Sequence, residues 1–429
     1  MRRLLCSALL STALLTTVLA AAPAATGATK TVDRGPTTML GGAKAGLAGG
    51  RDLAYAGGRL YTLDDATVRV FAPGASGNTA PQRTIDLDLP SGQHSWSIAV
   101  GDDGTTYVLT SNDALTSSTI LVYAAGASGA AGHLSIGNGS LGLMSPIDIA
   151  ERDGGFALLD NDSNAIFFYA QSGMGAPVAV GGIDAGSSTQ TQIFGPSTID
   201  TAPDGRLVVR GADWVSVFAA DAQGDVAPTQ YLQGDQTMIG VPLGAGLDTR
   251  GDLYLATVDA YGADPGNPRV LRFDPGATGN VAPAGVLAGA RTGLGLPYLE
   301  VLPSGSIAVA SFETTTYTFD GAIRFFRPLG PYAAPGRPTK LTASGKKAAP
   351  RRTVTWKPAA ADSDVPVTAY AVKVTCRGKV KLDRTLPAKT RSVTVRLGTF
   401  RRGACVATVR ASNEVGSGAV AKARFAVRR

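Results

Sequence analysis

The stretch Val68–Leu87, VRVFAPGASGNTAPQRTIDL, decides the fold, because the chain keeps returning to it. It recurs as ILVYAAGASGAAG from Ile120, IFFYAQSGMGAP from Ile166, VSVFAADAQGDVAP from Val215 and VLRFDPGATGNVAP from Val270, and in eroded form as IRFFRPLGPYAAP from Ile323. An aromatic closes each alternating run: Phe71, Tyr123, Tyr169, Phe218, Phe273 and Phe326. They lie 52, 46, 49, 55 and 53 residues apart, a period that stacks one supersecondary unit after another.

Between these copies lie AGGRLYTL, DDGTTYVL, RDGGFALL, PDGRLVVR, RGDLYLAT and PSGSIAVA, each a strand–turn–strand with its turn glycine at 58, 104, 154, 205, 251 and 305. Asp103-Gly104 and Asp204-Gly205 are strong hairpin signals, since both residue types tolerate the positive φ of a tight turn. One repeat therefore reads as four strands. Pro36–Leu47, PTTMLGGAKAGL, matches Pro283–Leu294, PAGVLAGARTGL, so the chain begins on a fourth strand with none of the first three before it. With 54 Gly and 25 Pro, the chain interrupts nearly every window before a helix can run.

Over residues 36–330 these repeats resemble NHL-type and gluconolactonase-like six-bladed propellers. The resemblance implies an all-β ring of six four-stranded blades in which the N-terminal strand closes the last blade, leaving no open edge at the seam. Five or seven blades remain open alternatives.

From about Ala334, RPTKLTAS, TVTWKP, VTAYAVKV and CVATVRASNEVGSG resemble a fibronectin type III β-sandwich, residues 337–429, reached through a linker at 331–336. The resemblance makes Trp356 and Tyr370 core aromatics and places Asn413 and Gly416 in the corner that ends the sixth strand. Cys376 ends the third strand and Cys405 stands where the sixth strand usually carries a tyrosine. Those strands are neighbours in that fold, which implies a Cys376–Cys405 disulfide, with two unpaired thiols as the alternative.

Residues 1–28 read as a signal peptide: Arg2 and Arg3, an apolar run from Leu4 to Ala22, then AAPAATGA, where a peptidase can cut after Ala24 or Ala28. An uncleaved anchor is the alternative reading. Residues 29–35 form a short N-terminal segment. Export to the outside or the cell wall, as a monomer with no stable membrane span, is the expectation. The Ala- and Gly-rich, Lys-poor repeats resemble proteins of GC-rich, actinobacterial genomes.

Charge divides the chain. Residues 29–332 hold sixteen Lys/Arg against twenty-nine Asp/Glu, a net of −13, while residues 333–429 hold twenty-two against four, a net of +18. The basic end suggests contact with anionic envelope polymers, or else docking onto the acidic part. Nucleic acid is a poor partner for an exported chain without aromatic-rich binding motifs.

The candidate site residues are acids expected around the channel mouth. Every second-to-third-strand turn carries one: Asp64 and Asp65, Asp113, Asp160 and Asp162, Asp213, Asp259 and Glu313. Glu151, Asp200, Asp248 and Glu300 join them from first strands, counted back in twos from the turn glycine. Converging carboxylates call for a cation or cationic ligand, and oxygen-rich sites suit Ca²⁺. DNDSN (Asp160–Asn164) has part of a calcium-loop spacing, so Asp160, Asp162, Asp200 and Asp248 are the metal candidates. Asp and Asn also simply make good turns. His94, Asp200, Asp248 and Glu300 are the catalytic candidates, with a surface His94 as the plainer reading. Trp214 either stacks on a ligand or covers the core. Two functions follow: an exported module binding a polysaccharide, peptide or protein, or an extracellular hydrolase or lyase acting on a carbohydrate or lactone with a divalent ion. G-x-S-x-G, H-E-x-x-H and phosphate-loop motifs are missing from the sequence.

Overall fold

The computed structural model describes residues 31–47, 49–171, 173–184, 190–260, 266–312, 319–330, 334–345, 350–359, 367–400, 402–413 and 416–428. The signal peptide expected at residues 1–28 and the candidate Glu313 lie outside them.

The repeats fold as six small sheets, five of them built on four successive antiparallel strands and the sixth on three. Their first strands are Asp52–Ala56 (sheet 1), His94–Val100 (sheet 2), Pro146–Arg152 (sheet 3), Thr198–Thr201 (sheet 4), Val241–Leu247 (sheet 5) and Leu296–Val301 (sheet 6). In sheet 6 the outer position is taken by Thr38–Gly41, in register from Thr38 opposite Phe325 to Gly41 opposite Ala322. Each first strand packs beside the next, and Leu296–Val301 also packs beside Asp52–Ala56. The recurrent aromatics all sit in apolar cores between sheets, none more than 4% exposed.

The expectation of a closed six-bladed propeller of NHL or gluconolactonase type is corrected here. The strands of the described residues pair into eight separate small sheets, none curled or closed upon itself. Among the described residues no ladder continues from one sheet into the next beyond isolated parallel bridges. The physical reason lies in what a repeat specifies: hairpin chemistry sets pairing within a unit, while closure depends on contacts between units that no local pattern encodes.

The glycine motif of the repeat links neighbouring sheets. Gly77, Gly129, Gly224 and Gly279, each at φ between 60° and 76°, form single parallel bridges to the outer strand of the preceding sheet. Their N–H groups donate to Met39, Thr84, Gly182 and Tyr231 carbonyls at 2.6–2.7 Å. The following asparagine adds a cap: Asn78 Oδ1 accepts from Lys44 N at 2.7 Å and Asn280 Oδ1 from Gln236 N at 2.8 Å.

The sixth copy, RPLGPYAAP, has lost this motif, and the N-terminal segment stands in for it. Thr31–Val32 pairs in parallel with Val286 and Leu287 of sheet 5. Asp33 Oδ1 then accepts from Arg291 N at 2.8 Å, as the asparagines do elsewhere. Close approach requires glycine opposite it, since a Cβ on Gly289 would stand 2.6 Å from Asp33 Cγ.

The C-terminal residues form two further sheets. One contains Pro338–Ser344, Arg351–Ala359 and Ser392–Arg396; the other runs Lys379–Pro387, Ala369–Cys376, Arg402–Ser412, Ser417–Arg428 in spatial order. Inward residues alternate along the strands and share one core with Trp356 and Tyr370, whose rings lie 5.5 Å apart. Cys376 and Cys405 are directly opposite and disulfide-bonded.

Candidate acidic cavity

The six first strands line a cavity of about 1500 Å³. First strands of four sheets send carboxyls into it, Asp52, Asp148 with Glu151, Asp200 and Glu300, and Asp65, Asp102, Asp153 and Asp204 also line it, as do Arg51, Arg152 and Arg210. Burial is the main cause of their raised pKa values, and proximity adds to it. Asp52 is pushed up to about 8, with Asp148 adding repulsion. Asp148 is pushed up to about 6, eased by hydrogen bonds and by Arg210. Asp200 rises to about 7, with Asp148 and Glu151 adding to burial. Glu151 rises to about 7 beside Asp102, Asp153 and Asp103. Glu300 is held well above the usual range by burial, then by Asp200 and Asp52.

These carboxyls divide by what their oxygens already do. Asp52 accepts from Leu53 N at 2.8 Å and from Ile98 N of the next sheet at 2.9 Å. Asp148 repeats the arrangement, with Ile149 N at 2.9 Å and Ile199 N of sheet 4 at 2.7 Å. Between them the Ser97 hydroxyl lies by both carboxyls, where it lowers their pKa values, and it reaches the backbone of Ile149 at 3.4 Å. Asp52, Ser97 and Asp148 thus clasp sheets 1 to 4 strand to strand. Asp200 accepts only locally, from Thr201 N at 2.8 Å, and its other oxygen lies over Gly246, where a Cβ would stand 2.7 Å away. Glu300 accepts from the Tyr55 backbone. Glu300 thus bonds across to sheet 1, and Asp200 and Glu151 share the cavity lining with it.

The acids expected in the second-to-third-strand turns do different work. Asp64 caps its own turn through Ala66 N and Thr67 N and pairs with Arg69, while Asp65 pairs with Arg51. Asp160 is fully buried and accepts from Met144 N, Ser145 N and Ser163 N. Asp213 meets the Gln233 amide, and Asp259 is paired with Arg269 and Asn267, which holds its pKa low. Asp113 is exposed, 4.0 Å from a half-exposed His94, and Asp162 is exposed in its turn. Asp248 is buried, held by Arg250 and by Arg250 N and Asp252 N. Among the described residues no three His, Cys, Asp or Glu side chains come together as a metal site, so the candidate set Asp160, Asp162, Asp200 and Asp248 does not assemble. Trp214 is 3% exposed in the core between sheets 3 and 4, with Nε1 donating to Phe194 O at 3.1 Å and its ring stacked on Tyr231.

Of the catalytic candidates, the cavity brings together Asp200 and Glu300 and leaves out His94 and Asp248. Asp52 and Asp148 escape the sequence reading for a geometric reason. Both lie six residues before their turn glycines, an even count, whereas Glu151, Asp200, Asp248 and Glu300 lie three or five before theirs. A count that keeps one parity therefore passes over them. An Asp at or near the start of the first strand, in RDLAY and PIDIAE, is the signal that finds them.

No family model matches the chain, and no curated protein matches it. Among solved structures, it is similar to the extracellular domain of BT4673 from B. thetaiotaomicron, described as a one-component system, at 9% identity and TM-score 0.38, over 92% of this chain and 59% of that one. It is also similar to the fn3 domain of human contactin 1, at 13% identity and TM-score 0.19, over 23% of this chain and 80% of that one. Domains d3–d4 of the rat CD45 extracellular region match at 16% identity and TM-score 0.20, over 24% and 55%. Among the described residues no helix is long and apolar enough to cross a membrane.

Proposed function

We propose that the protein is an exported binding module whose acidic cavity takes a ligand bearing ammonium or other cationic groups, a peptide or an amino-sugar polysaccharide, while the basic C-terminal sheets contact anionic envelope polymers. One observation carries the reading: Asp200, Glu300 and Glu151 share one cavity with raised pKa values, so binding a cation there ionises them, with Coulombic attraction set against the cost of the protons released. Titration calorimetry of the full chain with tetralysine and chitotetraose at pH 7 tests it. Binding with proton release, weakened at least about tenfold in Glu300→Gln, is expected from losing one charge-assisted contact. Failure of both probes to bind, or equal binding by the variant, rejects it.

A hydrolase reading rests on Asp200 and Glu300 lining the same cavity, because glycosidases work with a pair of carboxyls flanking the scissile bond. Turnover of chromogenic glycosides that disappears in Glu300→Gln is the result that selects it.

A further inference from the structure

The outward face of the sheet containing Ala369–Cys376, Arg402–Ser412 and Ser417–Arg428 concentrates positive charge on a flat surface. Lys373, Thr408 and Lys422 form one rung across three strands, Ala371, Arg410 and Val420 the next on one side, and Thr375, Val406 and Arg424 the next on the other. Lys373, Arg410, Lys422 and Arg424 are exposed. Asp383 reaches Lys373 at 2.9 Å, and among the described residues Arg410, Lys422 and Arg424 make no ion pair. Four cations thus share three rungs with one carboxylate beside them.

Spacing restricts what can bind. Alternate residues on a strand stand about 7 Å apart and strands about 4.8 Å apart, so these side chains present separated charges and do not converge on one compact anion. The nine outward positions of the three rungs carry no aromatic ring, which removes the stacking platform that bases require. The other sheet also presents cations, but they lie toward its ends: Arg351 faces Arg396 at one, and Lys357 lies at the other across a stretch of Thr and Ser.

We infer that the Lys373, Arg410, Lys422 and Arg424 face docks a flexible anionic polymer carrying one fixed charge per repeat unit. This rests on the proposed contact with envelope polymers and assigns that contact to a face and a chemistry. Charge complementarity is the argument: the sandwich part carries +18, and neutralising a regularly charged chain releases its counterions whatever its sequence.

The test uses the full chain and long-chain polyphosphate, followed by fluorescence anisotropy, with orthophosphate as the compact control. Binding should weaken steeply with salt, by roughly 50-fold between 50 and 200 mM if about four contacts form, and orthophosphate should not compete at equal phosphate concentration. Lys373→Gln/Arg410→Gln/Lys422→Gln/Arg424→Gln should bind at least about 30-fold more weakly, while Lys340→Gln/Arg351→Gln/Lys357→Gln/Arg396→Gln loses far less. Matched circular dichroism and melting curves show that both variants fold. Equal loss in the two variants, or none in the first, overturns the assignment. So does salt-sensitive self-association without polymer binding, which would make the acidic part of a second copy the occupant. Glu300→Gln should leave polymer binding unchanged, so failure of the cavity reading and failure of this one are separable.

Discussion

The two parts of the chain handle charge in opposite ways. The six-sheet part buries carboxyls along its inner strands, where they clasp neighbouring sheets or face the cavity. The C-terminal part leaves most of its cations exposed on sheet faces above an apolar core, with Arg352 the buried exception among the described residues. Buried charge is coupled to folding and pH, whereas exposed charge is coupled to salt and partners. The two regions are therefore expected to differ in what perturbs them, pH for the first and ionic strength for the second.

The largest effect expected is at Trp214. Trp214→Ala should cost about 3–5 kcal/mol, read by chemical denaturation, because it empties a core between sheets. If Trp214→Phe leaves stability nearly intact but abolishes ligand binding, the tryptophan belongs to the site and not to the core.

Next comes the disulfide. Cys376→Ala/Cys405→Ala should destabilise the C-terminal sheets by roughly 3–4 kcal/mol on the chain-entropy model, for a sequence separation of 29 residues. A second calorimetric transition, from the six-sheet part, should stay in place. Loss of both transitions together would mean the two regions unfold as one.

The pH response separates the regions further. A carboxyl whose pKa is raised by folding holds more protons folded than unfolded between its unfolded value, about 4, and its folded value. Stability then falls as pH rises through that window. With Asp52 at about 8 and Asp200 and Glu151 at about 7, the six-sheet transition should melt lower at pH 8.5 than at pH 5.5. Glu300→Gln should flatten this dependence, and the C-terminal transition should barely follow it. A six-sheet transition that rises with pH contradicts the burial argument.

The smallest effect is at the seam. Asp33→Ala removes the cap on Arg291 N and should cost about 1 kcal/mol, comparable to losing an N-cap. No change in melting temperature would show that the Thr31–Asp33 segment decorates sheet 5 without holding it.

Much of the unit was legible from residues alone. Asp-Gly pairs mark hairpins, and alternating runs ending in an aromatic mark buried strands, because both depend on neighbours within a few positions. The candidate site was legible in part. Asp200 and Glu300 were named and do share the cavity, but Asp64, Asp160 and Asp259, which look alike in sequence, spend their oxygens on turns and arginines. A turn-capping Asp and a ligand-facing Asp differ only in what lies across from them, and that is a long-range fact.

By itself the sequence determined the strand–turn rhythm, the division of charge and the placing of two cysteines in its basic end, since composition and local hydrogen-bonding chemistry suffice for each. Only the tertiary structure decided that the strands pair into eight separate sheets, that Gly77 and its counterparts bridge one sheet to the next, that Thr31–Asp33 replaces the motif missing from the sixth copy, and that Asp52 and Asp148 act as clasps. Each of these depends on contacts between different units, from about fifty residues apart for the Asp52 and Asp148 clasps to 258 for Asp33 and Arg291. Periodicity constrains what happens inside a repeat and is silent about what its neighbours bring to the boundary.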